Sequence, residues 1–102
     1  MLYAFHLLDR EGAAALRAEM RPAHKTYLAQ VAERIAFAGP LVGDDDDEAR
    51  MVGSLLVIDF ADRAAAEAWL RDEPFTRAGV YATSTVHAFR NLWPQRVGVV
   101  PG

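Results

Sequence analysis

The chain has 102 residues, a formal net charge of −3 at pH 7 and no cysteine. This length predicts one domain, residues 1–102, and the absence of cysteine excludes disulfides, thiolate nucleophiles and Cys-ligated metals. The acidic balance argues against a nucleic-acid partner and against binding to an anionic membrane surface.

The N-terminal segment predicts a strand that is buried on both faces. Both alternating sets of residues between Leu2 and Leu8 are apolar apart from His6, and Asp9 ends the run. The segment lacks the basic region and the cleavage site of a signal peptide, and no stretch is long enough to span a membrane. We therefore expect a soluble, cytoplasmic protein.

Residues 13–36 predict helical structure with a break. Apolar residues recur at steps of four, seven, four and four, at Leu16, Met20, Tyr27, Val31 and Ile35. Pro22 removes an amide donor and disfavours helical geometry at Arg21, so we expect a short helix before it and a longer one after it. His24 falls in the gap of the apolar stripe.

Two further strands are predicted on either side of an acidic loop. The short strand 37–42 contains Gly39 and Pro40, which favour a sheet edge or a bulge. Residues 44–48 are five consecutive acidic residues, which predict a solvated hairpin loop leading into a strand at 52–60. Calcium loops alternate their ligands with spacers, so this run predicts no metal site.

The stretch 53–79 predicts a strand, a helix and a charged corner. Asp62 is a suitable cap for a helix over 63–70, and Arg71, Asp72 and Glu73 precede Pro74. We expect Asp72 to cap the helical turn that Pro74 begins, and Gly79 to close that turn in left-handed geometry.

The last strand is predicted at 80–89 and is followed by a tail. Strict alternation places Tyr81, His87 and Phe89 on one face, where we expect them to line a dimer interface or a barrel interior. Residues 1–90 then form the core of the domain. The tail, 91–102, contains Trp93 and several valines, so we expect it to pack against another surface.

The predicted order β-α-β-β-α-β is that of a ferredoxin-like α+β fold, with a four-stranded antiparallel sheet and both helices on one face. The first and third strands are apolar on both faces, so the uncovered face of the sheet needs a partner surface. A second copy of the same sheet is the simplest partner. We predict a homodimer with the two sheets packed face to face.

Several short motifs together resemble the YciI-like (YCII-related) family. They are Met1-Leu-Tyr3, Asp9, Arg21-Pro-Ala-His24, Ala38-Gly-Pro40, Gly53-Ser54, Trp69, Glu73-Pro-Phe75 and Ala78-Gly-Val-Tyr81. The resemblance covers nearly the whole domain and implies a dimeric α+β barrel, with a cleft that contains a histidine and acidic partners. It also implies a relationship to a dehydrochlorinase.

One position departs from the family pattern. Many members have aspartate directly before the proline of the turn, whereas this chain has Glu73 there and Asp72 one residue earlier. Either the acidic role has moved by one residue, or the longer side chain has extended its reach. The sequence leaves both alternatives open.

His24 is the first candidate for chemistry. Histidine titrates near neutral pH, and an aspartate that orients its ring makes a general acid/base pair. Asp9 ends the first strand and can face the helix that follows, so we expect a contact between Asp9 and His24. Residue spacing alone favours a structural role, in which His24 is a polar residue within the apolar stripe and Asp9 caps the next helix. The family resemblance instead favours the catalytic pair.

Four further residues are expected to bind substrate. Arg21 offers a planar fork for a carboxylate or an enolate, with a surface ion pair as its alternative. Ser54 either donates a hydrogen bond to the ligand or simply opens its strand. Asp72 and Glu73 are candidates for the far wall of the cleft or for accepting a proton, but capping of the next helical turn is the favoured role of Asp72.

The leading hypothesis is a small cofactor-free enzyme of lyase or isomerase type that moves a proton on a small anionic metabolite. The alternative is a non-catalytic module that binds a small ligand or another protein. Haem binding or cofactor-less oxygenation follows from fold analogy alone. The three histidines have no ligand spacing, so no metal site is predicted.

Overall fold

The computed structural model describes residues 1–44 and 50–99. Its elements are β1 (Leu2–Asp9), α1 (Ala14–Ala29), a 3-10 turn (Ala32–Arg34), β2 (Ile35–Val42), β3 (Met51–Asp59), α2 (Arg63–Asp72), α3 (Pro74–Ala78) and β4 (Tyr81–Phe89). The predicted order is confirmed, with the charged corner dividing the second helical segment into α2 and α3. The acidic run 44–48 lies outside the described residues except for Asp44.

The four strands form one antiparallel sheet in the order β2-β3-β1-β4. The two central strands supply much of the main core cluster, including Phe5, Leu7, Leu56 and Ile58, and α2 covers them with Ala66 and Leu70. Part of α1 packs on the same cluster through Leu28. The central position of β1 and β3 explains why their sequences are the most apolar in the sheet.

Helix α1 runs without a break through Pro22, so the predicted interruption is wrong. Proline within a helix costs about 3 kcal/mol through a lost hydrogen bond and a steric clash. Packing on both sides of Pro22 opposes that cost, because Arg17 is buried before it and Leu28 packs on the core after it. Tertiary contacts of this kind stabilise helices more than local propensity does.

A β-bulge moves Tyr81 to the helix-covered face of the sheet. Leu8 lies opposite Thr83, but Asp9 lies opposite Tyr81, so the register shifts by one residue. The ring of Tyr81 packs edge-on against Phe75, with ring centroids 6.0 Å apart. The predicted shared face of Tyr81 with His87 and Phe89 is therefore wrong, because one inserted residue reverses the alternation.

The other face of the sheet carries exposed apolar side chains. They include Leu8, Phe37, Leu55 and Phe89, each between 38% and 43% exposed. In the tail, Gln95 and Val99 line a hollow with residues 35–38, while Trp93 and Val97 face solvent. Within residues 1–44 and 50–99, no helix is long and apolar enough to cross a membrane.

Gly53 allows β3 to approach β1 closely at the point where the site is built. A Cβ atom at this position would lie 2.3 Å from the carbonyl oxygen of Leu7. Because that neighbour is backbone, a larger residue would force the two strands apart. The next residue, Ser54, lies opposite Leu7 and therefore shares the face that α1 covers.

Candidate active site

A cavity of about 310 Å³ lies between α1 and the sheet. Helix α1 contributes Arg17, Arg21, His24, Lys25 and Leu28, whose spacing of four, three, one and three places them on one side of the helix. The opposite wall is formed by residues of β2, β3 and α3, namely Ala38, Gly39, Pro40, Met51, Ser54, Leu56 and Phe75. The structure thus brings the predicted Arg21, His24 and Ser54 to one cavity.

His24 is held by a carboxylate and by an aromatic ring. Its Nδ1 atom forms a hydrogen bond with Oε1 of Glu73, whose side chain is fully buried. The imidazole also stacks on Phe75, with ring centroids 4.0 Å apart and planes 12° apart. These two contacts fix both the position and the plane of the ring.

Glu73 is itself fixed by the start of α3. It is the N-cap residue of that helix, and its Oε2 atom accepts a hydrogen bond from the backbone N–H of Thr76 at 3.1 Å. One carboxylate oxygen therefore caps the helix while the other holds the imidazole. The expected capping role of Asp72 is wrong, because Asp72 ends α2 and is exposed to solvent.

The expected contact between Asp9 and His24 is also wrong. Both carboxylate oxygens of Asp9 accept hydrogen bonds from Arg17, at 2.7 Å and 2.9 Å. The reason is the geometry of α1, where His24 lies seven residues beyond Arg17, about 10 Å further along the helix axis. Asp9, at the end of β1, therefore meets the turn of α1 that carries Arg17, whereas Glu73, after α2, meets the later turn that carries His24.

Arg17 and Tyr81 are the residues of this site that sequence reasoning missed. Arg17 donates to the Oγ atom of Ser54 at 3.0 Å, and the Tyr81 hydroxyl donates to the same atom at 3.4 Å. A signal for Arg17 was present, since it precedes Arg21 by four residues and His24 by seven. The alternation of β4 gave no such signal for Tyr81 because it does not reveal the bulge, although Tyr81 stands in the family motif Ala78-Gly-Val-Tyr81.

Burial and the neighbouring Asp9 carboxylate shift the pKa of the Arg17 guanidinium in opposite directions. Burial by itself lowers its pKa, but the hydrogen bonds to Asp9 and the charge of that carboxylate outweigh burial, so the pKa stays above its ordinary value. The guanidinium also lies over the ring of Phe75, 4.5 Å from its centroid. Arg17 is therefore a permanent buried cation beside the cavity.

The family model described as the YCII-related domain matches residues 1–90. The chain belongs to the YCII-related family. Its relatives include Protein YciI of Escherichia coli O6:H1, which is 31% identical over 98 residues that cover 91% of this chain and 100% of that protein. An uncharacterized protein of Haemophilus influenzae has the same identity and coverage.

A solved structure resembles this YCII-related chain along most of its length. It is 5-chloro-2-hydroxyhydroquinone dehydrochlorinase (TftG) from Burkholderia phenoliruptrix AC1100, in complex with 2,5-dihydroxybenzoquinone. The TM-score is 0.85 and the identity 27%, over 88% of this chain and 94% of that chain. The predicted fold class and family resemblance are both confirmed.

The described part of this YCII-related chain contains no group of three or more His, Cys, Asp or Glu side chains placed to hold a metal ion. The polar groups of the cavity are mainly cations and hydrogen-bond donors, which suit an anionic organic ligand.

The buried phenol of Tyr81 predicts a loss of stability at alkaline pH. Burial, and secondarily the charge of Glu73, raises the pKa of Tyr81 in the folded protein. A raised folded pKa gives stability that is complete below the unfolded value of about 10 and is lost as the pH rises above it.

We expect Tyr81→Phe to flatten the fall of melting temperature between about pH 9 and pH 11, measured by circular dichroism. Part of the slope remains, because burial also raises the pKa of Tyr27. Parallel curves for the wild type and the variant would contradict the assignment to Tyr81.

Proposed function

We propose that this chain is a small enzyme of lyase or isomerase type that moves a proton on a small anionic substrate without a cofactor. His24 acts as the acid/base and Glu73 orients it. The observation that carries the proposal is the pairing of the His24 Nδ1 atom with a fully buried carboxylate at the wall of a cavity. Because Nδ1 is engaged, Nε2 is the nitrogen left to exchange a proton with substrate.

Two cations at the cavity support an anionic substrate. Arg21 and Lys25 both line the cavity and are exposed, and neither has an ion-pair partner among the residues that the structure describes. An arginine fork and a lysine ammonium are suited to a carboxylate, a phenolate or an enolate. Arg17 does not share this role, because its charge is neutralised by Asp9.

The apolar lining of the cavity and the ligand of the structural neighbour both support a substrate class. Leu28, Leu56 and Phe75 give the cavity an apolar lining suited to a small ring. The neighbour is a dehydrochlorinase in complex with a dihydroxybenzoquinone. We propose that this chain acts on hydroxylated aromatic or quinone-like molecules of similar size.

The proposed step is a proton transfer coupled to rearrangement of a conjugated system. His24 takes a proton from a substrate hydroxyl or an activated carbon, and the imidazolium is stabilised by the Glu73 carboxylate. The electron pair released moves into the conjugated system. In an elimination from a chlorinated hydroquinone, the imidazolium first returns this proton to the ring carbon that carries the chlorine, which gives the keto tautomer. His24 then takes a second hydroxyl proton, chloride departs with its bonding pair to leave the quinone, and His24 releases that proton to water. In an isomerisation, His24 returns the proton to another carbon.

Chloride release tests this proposal. The purified protein is incubated with 5-chloro-2-hydroxyhydroquinone under anaerobic conditions, and chloride is measured against a reaction without protein. We expect chloride and a quinone product to form in equal amounts. Tight binding of the quinone without any acceleration of chloride release would favour the rival function, a non-catalytic module that binds small ligands.

We also propose that the open face of the sheet, which is the face that the helices do not cover, packs against a second copy of the chain. Supporting this, its exposed apolar side chains lie together on β1, β2, β3 and β4, and such patches mark interaction surfaces. Antiparallel sheets pack through such faces, and self-complementary contacts commonly generate two-fold dimers.

Leu55→Glu should convert the dimer to a monomer of 11.2 kDa in multi-angle light scattering, because the new charge lies in the middle of the open face. Ala64→Glu is the matched control, since it places the same charge on the exposed side of α2. A wild type that is already monomeric, or a dimer that survives Leu55→Glu, would refute this pairing.

A further inference from the structure

The hydroxyl of Ser54 has an unusual set of partners. The residue is 2% exposed, and its Oγ atom accepts hydrogen bonds from Nη2 of Arg17 at 3.0 Å and from the hydroxyl of Tyr81 at 3.4 Å. A serine oxygen has two acceptor sites and one proton. With both acceptor sites occupied, the Ser54 hydroxyl is left only to donate.

Arg17 and Tyr81 both act as donors to the Ser54 oxygen, and neither is placed to become an acceptor instead. A guanidinium has no acceptor atom, and Arg17 is held in place by Asp9. Within the described residues the Tyr81 hydroxyl forms its hydrogen bond with Ser54 alone, so its proton has no other acceptor there. Ser54 lines the cavity and Tyr81 does not, so the proton that reaches the ligand is that of Ser54.

The rest of the cavity also offers donors. Arg21 and Lys25 have no acceptor atoms, and with the Nδ1 atom of His24 engaged by Glu73, only Nε2 of that ring is left to take the substrate proton. A ligand that fills the cavity must therefore supply acceptor oxygens at two places. One is the exposed side, at the two cations, and the other is the buried side, at Ser54.

We propose that Ser54 is a hydrogen-bond donor of fixed polarity, which selects substrates with a carbonyl or enolate oxygen on the side opposite their anionic group. This assignment rests on the proposed function for its chemical purpose. When His24 removes a proton from such a substrate, negative charge develops on the conjugated oxygen. Ser54, polarised by the Arg17 cation behind it, stabilises that charge.

Matched benzoates test the assignment without knowledge of the true substrate. All carry a carboxylate for Arg21 and Lys25. The para substituent is an acetyl group, which accepts a hydrogen bond, or an isopropyl group with the same number of heavy atoms, which does not. We expect the wild type to bind 4-acetylbenzoate roughly two- to tenfold more tightly than 4-isopropylbenzoate in an NMR shift titration. Ser54→Ala should bring the two affinities to within twofold of each other, a ratio of about one.

Ser54→Ala leaves the donors of Arg17 and Tyr81 without their acceptor and could therefore disturb folding. A second variant avoids this problem and tests whether the Ser54 hydroxyl is fixed as a donor. Tyr81→Phe keeps both Ser54 and Arg17 but frees one acceptor site on the serine oxygen. We expect its affinity for 4-aminobenzoate, whose amino group donates, to rise roughly two- to tenfold relative to 4-acetylbenzoate. A purely structural role for Tyr81 predicts an unchanged ratio.

The outcomes separate this assignment from the proposed function. Equal affinity of the wild type for the acetyl and isopropyl compounds overturns the role of Ser54, even if chloride release is observed. An unchanged ratio in Tyr81→Phe overturns it as well. A preference for the acetyl compound that Ser54→Ala abolishes supports the role, even if no chloride is released and the lyase proposal fails.

Discussion

Replacing His24 by alanine is expected to lower the turnover number for chloride release by roughly 10²- to 10⁴-fold, the usual contribution of a positioned acid/base. Glu73→Gln should also lower turnover, because the amide cannot stabilise the imidazolium while its oxygen can still cap α3. His24 lies at the wall of a cavity and is partly exposed, so its removal should leave the fold intact. Circular dichroism checks the fold, and initial rates of chloride release measure the effect.

Asp72→Asn and Glu67→Gln are the matched controls. Asp72 neighbours Glu73 in sequence but is exposed, and Glu67 forms an exposed pair with Arg63 on α2. Both variants should keep turnover within about twofold of the wild type, since surface pairs contribute little. Full activity of His24→Ala would refute the acid/base role. A loss in Asp72→Asn equal to that in Glu73→Gln would refute the assignment of the orienting carboxylate to Glu73.

The order of elements and part of the cavity could be predicted from local signals. Arg21 and His24 are three residues apart, so helical geometry alone puts them on one side of α1. Gly53-Ser54 and Glu73-Pro74 were recognised through the family resemblance. These features depend on spacing within one element or on short motifs, which a single sequence displays directly.

The pairing of charges could not be predicted in the same way. Which carboxylate reaches His24 depends on how far along α1 each loop meets the helix, and the partner is 49 residues away. The face occupied by Tyr81 depends on a bulge opposite Asp9, and the continuity of α1 through Pro22 depends on packing. Each miss came from a tertiary contact that overrode a local rule.

The buried pair between Arg17 and Asp9 should dominate the stability of the site. Their side chains are 6% and 7% exposed, and two hydrogen bonds join them. Asp9→Asn keeps the shape of the side chain but leaves the Arg17 cation without its counter-charge. Because breaking such a pair from one side costs about 3–5 kcal/mol, we expect a loss of that size in the free energy of unfolding, measured in urea.

Asp59→Asn is the control for this loss, because Asp59 pairs with the N-terminal amine at 2.9 Å and its side chain is 58% exposed. It should change the free energy of unfolding by no more than about 1 kcal/mol. The double variant Asp9→Asn/Arg17→Met removes both charges, so it should recover much of the stability lost in Asp9→Asn alone. It should not recover turnover, since Ser54 would lose the cation behind its hydroxyl. Equal losses in Asp9→Asn and Asp59→Asn would show that the Arg17–Asp9 pair adds nothing beyond an ordinary surface contact.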